Sequence, residues 1–178
     1  MHNDVLTFWF NELTPAQWWQ KDDTLDKTIR EKFQKIHHQA SHCELYQWRN
    51  SAKGRLAEII ILDQFSRNIF RGTAKAFSQD PLALSLAQQA IAVGADKELD
   101  AVERGFLYMP FMHSESLLIH QQACQLFKAN GNESNYQFEL KHLEIIKKFG
   151  RYPHRNNILN RASTPEELEF LKQPGSSF

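Results

Sequence analysis

The fold is decided by the stretch LAEIIILDQFSRNIFRG, which runs from Leu56 to Gly72. At about 100° per residue, its apolar side chains surround most of a helix instead of following one stripe. A helix with that pattern is buried on several sides. We therefore predict that residues 56–71 form the central helix, wrapped by other helices near 81–93, 114–129 and 135–149.

Three charged side chains lie on the same stripe of this helix as Leu56 and Ile60, namely Asp63, Arg67 and Arg71. Burying an unpaired charge costs several kcal/mol, so each group must be paired or must face a polar cavity. Asp63 and Arg67 have the i,i+4 spacing of a helical ion pair. One aspartate can balance the charge of only one arginine, so the second arginine needs another anionic partner. The pattern therefore indicates either a buried ion-pair network that fixes helix packing or a site for a carboxylate or phosphate.

Helix start and stop signals recur along the chain. Capping residues precede proline at Thr14-Pro15, Asp80-Pro81 and Thr164-Pro165, Asp100 and Glu103 have capping-box spacing, and three glycines close helices, Gly94, Gly131 and Gly150. Strand-like alternation is absent. We predict an all-α protein with roughly eight helices. Its 178 residues are typical of a single domain, 1–178.

A second group of charges lies between Lys141 and Arg161, where six basic residues stand against one acidic residue. Pro153 is expected to open a helix there and to place three residues around its N-terminus, Arg151, His154 and Arg155. Cations at that end oppose the helix dipole and need a compensating anion. That anion is either Asp63 or Glu115 from another part of the fold, or a bound ligand.

The stretch MPFMHSES at 109–116 places Pro110 inside an apolar run. We expect the helix that begins at Ala101 to break or kink there, with His113 and Glu115 at the start of the next helix. A histidine and a carboxylate at such a break can act as a general acid–base pair. The alternative is an ordinary capped helix start with a hydrogen-bonded histidine.

The sequence predicts neither a metal nor a cofactor. His38 with His42, and His120 with Cys124, have the spacing of metal ligands, but neither pair has a third ligand nearby in sequence. Equal numbers of basic and acidic residues, 21 of each, argue against nucleic acid. The longest aliphatic run, 59–62, is too short for a membrane span, and the N-terminus does not resemble a signal peptide. We expect a cytoplasmic protein with reduced thiols.

Four segments together resemble a known family, namely LDQFSRNIFRG at 62–72, MPFMHSES at 109–116, FGRYPHRN at 149–156 and PGSSF at 174–178. They are similar to the bacterial domain-of-unknown-function family 924, which is assigned to the tetratricopeptide-like helical superfamily. The resemblance extends over essentially the whole chain. It implies antiparallel helix hairpins in a right-handed, tetratricopeptide-like array, and it implies no established reaction.

The function that we predict is a polar, arginine-rich pocket for a small anionic ligand or an acidic peptide end. Its ligand-binding residues are predicted to be Asp63, Arg67, Asn68, Arg71, Arg151 and Arg155. One alternative is an enzyme that uses acid–base chemistry on a carboxylate- or phosphate-bearing substrate, with His113, Glu115 and His154 as candidate catalytic groups. Another is a structural ion-pair network in a protein-interaction scaffold.

The last residues, 173–178, end in Phe178, an aromatic residue that bears a carboxylate. Proline and glycine within this stretch can turn it back toward the body of the protein. We expect this tail to dock there and to offer its carboxylate to the arginines, as a plug or as one wall of the pocket. The alternative is a frayed end.

Overall fold

The computed structural model describes residues 1–177, and within that range the protein consists of helices and turns without a strand. This confirms the predicted all-α class. The α-helices are α1 (His2–Thr7), α2 (Asp23–Ser41), α3 (Ala52–Ile60), α4 (Ser66–Ile69), α5 (Asp80–Ala92), α6 (Ala101–Met112), α7 (Leu117–Asn130), α8 (Glu133–Phe149) and α9 (Pro165–Phe170). Two π-helical turns, Phe8–Glu12 and Ile61–Phe65, and five short 3-10 turns complete the elements.

Residues 52–69 form an unbroken helical rod, the central segment, in which α3, the π-turn Ile61–Phe65 and α4 follow one another. Every residue from Leu56 to Ser66 is buried, which confirms the predicted burial of this helix. The ring of Phe65 packs against aromatic rings from the π-turn Phe8–Glu12 and from α2, those of Phe8, Trp9 and Phe33.

The neighbours of the central segment differ from those predicted. It packs against α1, α2, α5 and α6, whereas α7 and α8 pack mainly on α6 and on each other. The prediction that the helices near 114–129 and 135–149 wrap the segment was therefore wrong. Its apolar pattern reports burial on all sides, but it carries no information about which helix supplies each side.

The predicted caps are mostly confirmed. Capping boxes form at Asp100 with Glu103 and at Thr164 with Glu167. Three glycines adopt the left-handed conformation just after helices end, Gly94, Gly131 and Gly150. Asp80 is the exception, because the N-cap of α5 is Gln79 and Asp80 is already inside the helix. Its carboxylate is thereby available for another partner.

Two prolines act less strongly than predicted. Helix α6 continues through Pro110 to Met112, because a proline two residues before the last residue of the helix removes a single amide hydrogen bond. Ser114 and Glu115 consequently lie in the turn before α7, not in a helix. Pro153 opens a three-residue 3-10 turn, Pro153–Arg155, so no long helix presents its dipole there.

The C-terminal part has its own small apolar cluster, in which Ile145, Ile146 and Tyr152 are buried beside the half-buried Phe149 and Phe170. Helix α9 is joined to α8 through the Phe149 and Phe170 rings, whose centroids are 5.1 Å apart. Within residues 1–177, none of the helices combines the length and hydropathy needed to cross a bilayer. The tail prediction concerns Phe178, which lies outside the described residues.

Replacing Phe65 by alanine should lower the free energy of unfolding by about 3–5 kcal/mol, because it leaves a cavity among packed rings. Leu118→Ala is the matched control, since Leu118 is 66% exposed and its truncation should change stability by about 0.5 kcal/mol or less. Urea unfolding followed by circular dichroism measures both. Equal losses in the two variants would contradict a core centred on this segment.

Candidate functional site

Two arginines from distant parts of the chain meet on the carboxylate of Asp80. Arg67, in α4, donates from Nη1 to Oδ1 at 3.0 Å and from Nη2 to Oδ2 at 3.1 Å. Arg155, in the turn Pro153–Arg155, donates from Nη1 to the same Oδ2 at 3.2 Å. The first residue of α5 therefore links the central segment to the C-terminal part of the protein.

Asp63 lies in the π-turn of the central segment, and only 1% of its side chain is exposed. Its Oδ1 is 2.7 Å from Nδ1 of His113 and 3.3 Å from Nη1 of Arg67, and its Oδ2 accepts from Gln64 at 2.6 Å. Burial by itself would raise the pKa of this carboxyl. The charge of Arg67 and the hydrogen bonds from His113 and Gln64 outweigh burial and hold the pKa well below its usual range.

His113 caps the C-terminus of α6 and turns its ring toward Asp63. An ionised carboxylate can only accept, so Nδ1 donates to it. Nε2 then carries the lone pair, and this atom has no hydrogen-bond partner among residues 1–177, although the side chain is 16% exposed. Burial and the charge of Arg67 lower the pKa of His113, against the opposing effect of Asp63. The imidazole is therefore neutral at pH 7.

Arg155 has fewer hydrogen-bond acceptors than Arg67 has. Its side chain is 7% exposed, and its Nε has no acceptor in the part of the chain that the structure describes. The guanidinium carbon lies 4.5 Å from the ring centre of Phe77 and 4.6 Å from that of Tyr152. Burial and the nearby Arg67 lower its pKa, because Asp80 compensates it only in part.

These five residues, Asp63, Arg67, Asp80, His113 and Arg155, are called here the arginine cluster. It joins three of the residues predicted as ligand-binding to one predicted as catalytic. Asp80 was missed because an aspartate before Pro81 matches a helix cap, and no local pattern distinguishes that role from an ion pair across the fold. Two arginines and two aspartates cancel in charge when His113 is neutral.

The other predicted ligand-binding residues lie in separate ion-pair networks. Asn68 and Arg71 both donate to Oδ1 of Asp26 in α2, each at 2.8 Å. Arg151 binds Glu167 of α9 at 2.7 and 2.8 Å. These contacts fasten α4 to α2 and α9 to the end of α8. For these residues the geometry favours the structural interpretation that the sequence left open.

The two other predicted catalytic groups do not join His113. Glu115 accepts two hydrogen bonds from Arg161, at 2.6 and 2.9 Å, and one from the backbone of Tyr152 at 2.7 Å. Burial would raise its pKa, but these contacts lower it, so it stays ionised. His154 is largely buried, and burial together with the charge of Arg155 lowers its pKa to about 4. The partner of His113 is Asp63, not Glu115.

The two histidine pairs with metal-ligand spacing are both engaged in other contacts. The rings of His38 and His42 stack with their centroids 4.2 Å apart. Nδ1 of His120 lies 2.7 Å from Oε1 of the buried Glu139, which Cys124 Sγ contacts at 3.8 Å. No group of three or more histidine, cysteine or acidic side chains able to hold a metal occurs among the described residues.

Two surface grooves are open to solvent away from the arginine cluster. One, of about 560 Å³, runs along α2 beside Arg30, Lys35 and His38. The other, of about 240 Å³, lies at the start of α2 beside Phe8 and Asp22. Neither groove is lined by a residue of the cluster.

The chain matches the model of a family described as bacterial proteins of unknown function, DUF924, over residues 5–175. It is also similar to a solved structure, that of the protein of unknown function ATU0120 from Agrobacterium tumefaciens. The two are 38% identical, superpose with a TM-score of 0.92, and align over 96% of each chain. No curated protein matches the chain. These similarities confirm the resemblance to the DUF924 family and assign no reaction.

The buried histidines predict how stability depends on pH. Burial lowers the pKa of His37 to about 4, of His142 to about 3 and of His154 to about 4. Below about pH 6.5 the unfolded chain takes up protons that the folded chain does not bind. Stability is therefore full above that pH. It should fall by about 1–2 kcal/mol per histidine between pH 7 and pH 5.

Urea unfolding at a series of pH values measures this loss. His37→Gln should flatten the curve by the contribution of one histidine. His42→Gln, a substitution of the exposed histidine that directly follows the same helix, is the matched control. If the curves of the two variants were parallel, the assigned role of His37 would be wrong.

Proposed function

The chain belongs to the DUF924 family of bacterial proteins of unknown function, and from its own residues we propose that it binds a small anion or an acidic peptide end at the arginine cluster. The observation that carries the proposal is the incomplete hydrogen bonding of the buried Arg155. This guanidinium is almost fully buried, it shares its carboxylate partner with Arg67, and its Nε has no acceptor among residues 1–177.

The chemistry of the cluster suits a carboxylate or a phosphate. A guanidinium presents several donors in a fixed plane, and each hydrogen bond to an ionised acceptor contributes about 1.5–3 kcal/mol. Arg155 has donors to spare, because a single hydrogen bond to Asp80 accounts for its described contacts with acceptors. Arg67 and His113 remain partly exposed, so solvent reaches the cluster at these two side chains.

The rings beside Arg155 favour an anion that is carried on an apolar body. The guanidinium carbon of Arg155 lies within 4.6 Å of the ring centres of both Phe77 and Tyr152. A ligand that binds this guanidinium would therefore contact the carbon atoms of aromatic rings as well as a positive charge. The C-terminal carboxylate of a peptide, or a small carboxylic acid, has this combination of groups.

The same proposal includes a cytoplasmic protein of one domain, residues 1–178, in a tetratricopeptide-like array. Consecutive helices pack in pairs, α5 on α6, α6 on α7 and α7 on α8, which supports an array of hairpins. Both Cys43 and Cys124 are free thiols, as is usual in a reducing compartment. We propose no nucleic-acid or membrane partner.

Small carboxylates should raise the melting temperature of the protein in a thermal-shift assay. A ligand at one hundred times its dissociation constant adds about 2.7 kcal/mol, which corresponds to roughly 5–10 °C for a chain of this size. Arg155→Gln should abolish the shift. Arg71→Gln is the matched control, because it also removes an arginine from an aspartate pair yet leaves the cluster intact.

Two results would contradict the binding site. One is a wild-type protein whose melting temperature no carboxylate or phosphate raises. The other is an Arg155→Gln variant that responds as strongly as Arg71→Gln does.

A second candidate function is acid–base catalysis, which the pairing of Asp63 with His113 favours. The carboxylate orients the imidazole and leaves Nε2 available as a base, next to two arginines that can hold a charged substrate. Carboxylate- and phosphate-bearing metabolites incubated with the protein in D₂O, and followed by NMR, would show hydrolysis or proton exchange at carbon. His113→Asn should abolish such turnover, and His37→Asn should preserve it. Turnover that persists in His113→Asn would exclude this role.

A further inference from the structure

The fixed charges of the arginine cluster cancel before any ligand arrives. Arg67 and Arg155 carry two positive charges, and Asp63 and Asp80 carry two negative charges, all four on largely buried side chains. An added anion would leave the cluster with one uncompensated negative charge. In a region of low dielectric constant that excess is costly, so binding favours the uptake of a positive charge nearby.

His113 is placed to take up that charge as a proton. Its Nδ1 already donates to Asp63, so the proton would go to Nε2, which has no partner among the described residues. A protonated imidazole beside Asp63 would form a charge-assisted hydrogen bond without a change of rotamer. The ring is thus arranged for the charged form, although the free protein holds it neutral.

The charged and titratable groups that face His113 explain why it is neutral in the free protein and why a bound anion would favour its protonated form. Asp63 and Arg67 approach it from the central segment, and Asp80 approaches from α5. His142 of α8 and His154 of the turn Pro153–Arg155 also lie within electrostatic range of it. Arg67 is the cation among them that opposes protonation of His113. A ligand anion would offset that effect.

We infer that the arginine cluster binds a monoanion together with one proton, and that His113 holds the proton. The inference rests on the proposed function and specifies its ligand. One proton compensates one negative charge, so a monocarboxylate such as a peptide C-terminus leaves the cluster neutral. A dianion such as sulfate leaves it with a net negative charge and binds more weakly.

Titration calorimetry with N-acetylglycine tests this coupling between pH 5.5 and pH 8, a range in which the probe stays a monoanion. Cationic buffers with different heats of ionisation, such as Bis-Tris and imidazole at constant chloride, report the protons taken up. We expect close to one proton per anion near pH 6.5. We also expect the affinity to fall up to tenfold per pH unit as the pH rises, and sulfate to bind at least tenfold more weakly.

His113→Gln should bind N-acetylglycine without proton uptake and with an affinity that does not change with pH. His37→Gln is the matched control and should keep the proton uptake of the wild type. An NMR titration of the His113 ring in the wild type, with and without the probe, gives the same answer without a variant. The probe should raise the pKa of this ring.

The outcomes separate the two proposals. Binding without proton uptake, uptake that persists in His113→Gln, or an unchanged pKa of the His113 ring would overturn the inference and leave anion binding standing. Sulfate binding as tight as that of N-acetylglycine would overturn the assignment of a monoanion. If the wild type bound neither probe at any pH, both the inference and the proposed function would be wrong.

Discussion

A carboxylate buried in the middle of the central segment is the constraint on which the rest of the protein depends. Asp63 is held between His113, Gln64 and Arg67 inside a largely apolar, buried helix. Removing one partner of a buried charge typically costs about 3–5 kcal/mol. The end of α6, which carries His113, therefore has to dock against the π-turn. Arg67, which pairs with Asp63, also donates to the carboxylate of Asp80. The same ion pairs therefore position the start of α5.

The C-terminal part is attached by polar contacts more than by a large apolar interface. Arg155 reaches Asp80, Arg161 binds Glu115, and the hydroxyl of Tyr152 donates to the carbonyl of Met112 at 2.5 Å. Its apolar cluster is small beside the main core. Most basic residues between 141 and 161 therefore have anions within the fold, and the buried Arg155 has an incomplete set of acceptors.

The ion pairs of the arginines differ, and the difference decides which arginines have a structural role and which are proposed to bind a ligand. Buried ion pairs add little net stability compared with well-packed apolar residues, because both ions lose their hydration. Two of the networks, those of Arg71 and Arg151, are complete pairs between neighbouring elements. The arginine cluster differs, since one carboxylate serves two guanidinium groups and an imidazole nitrogen stays without a partner in the described chain. That difference is why the proposed function rests on the cluster alone.

The amino-acid sequence was enough to predict the features that depend on near neighbours along the chain. The burial of Ile61 and Phe65 follows from apolar residues all round one helix, the left-handed glycines follow from helix ends, and the approach of Arg67 to Asp63 follows from i,i+4 spacing. Each of these is set by helical geometry within a few residues.

Only the tertiary structure decided which distant charges meet. Asp80 lies 13 residues from Arg67 and 75 from Arg155 along the chain, and nothing in its local sequence distinguishes an ion-pair partner from a helix cap. In the same way, His113 pairs with Asp63 and not with Glu115, although Glu115 is nearer in sequence. The length, angle and docking of whole helices determine such pairings, because a contact across the fold depends on how those helices pack and not on local conformation.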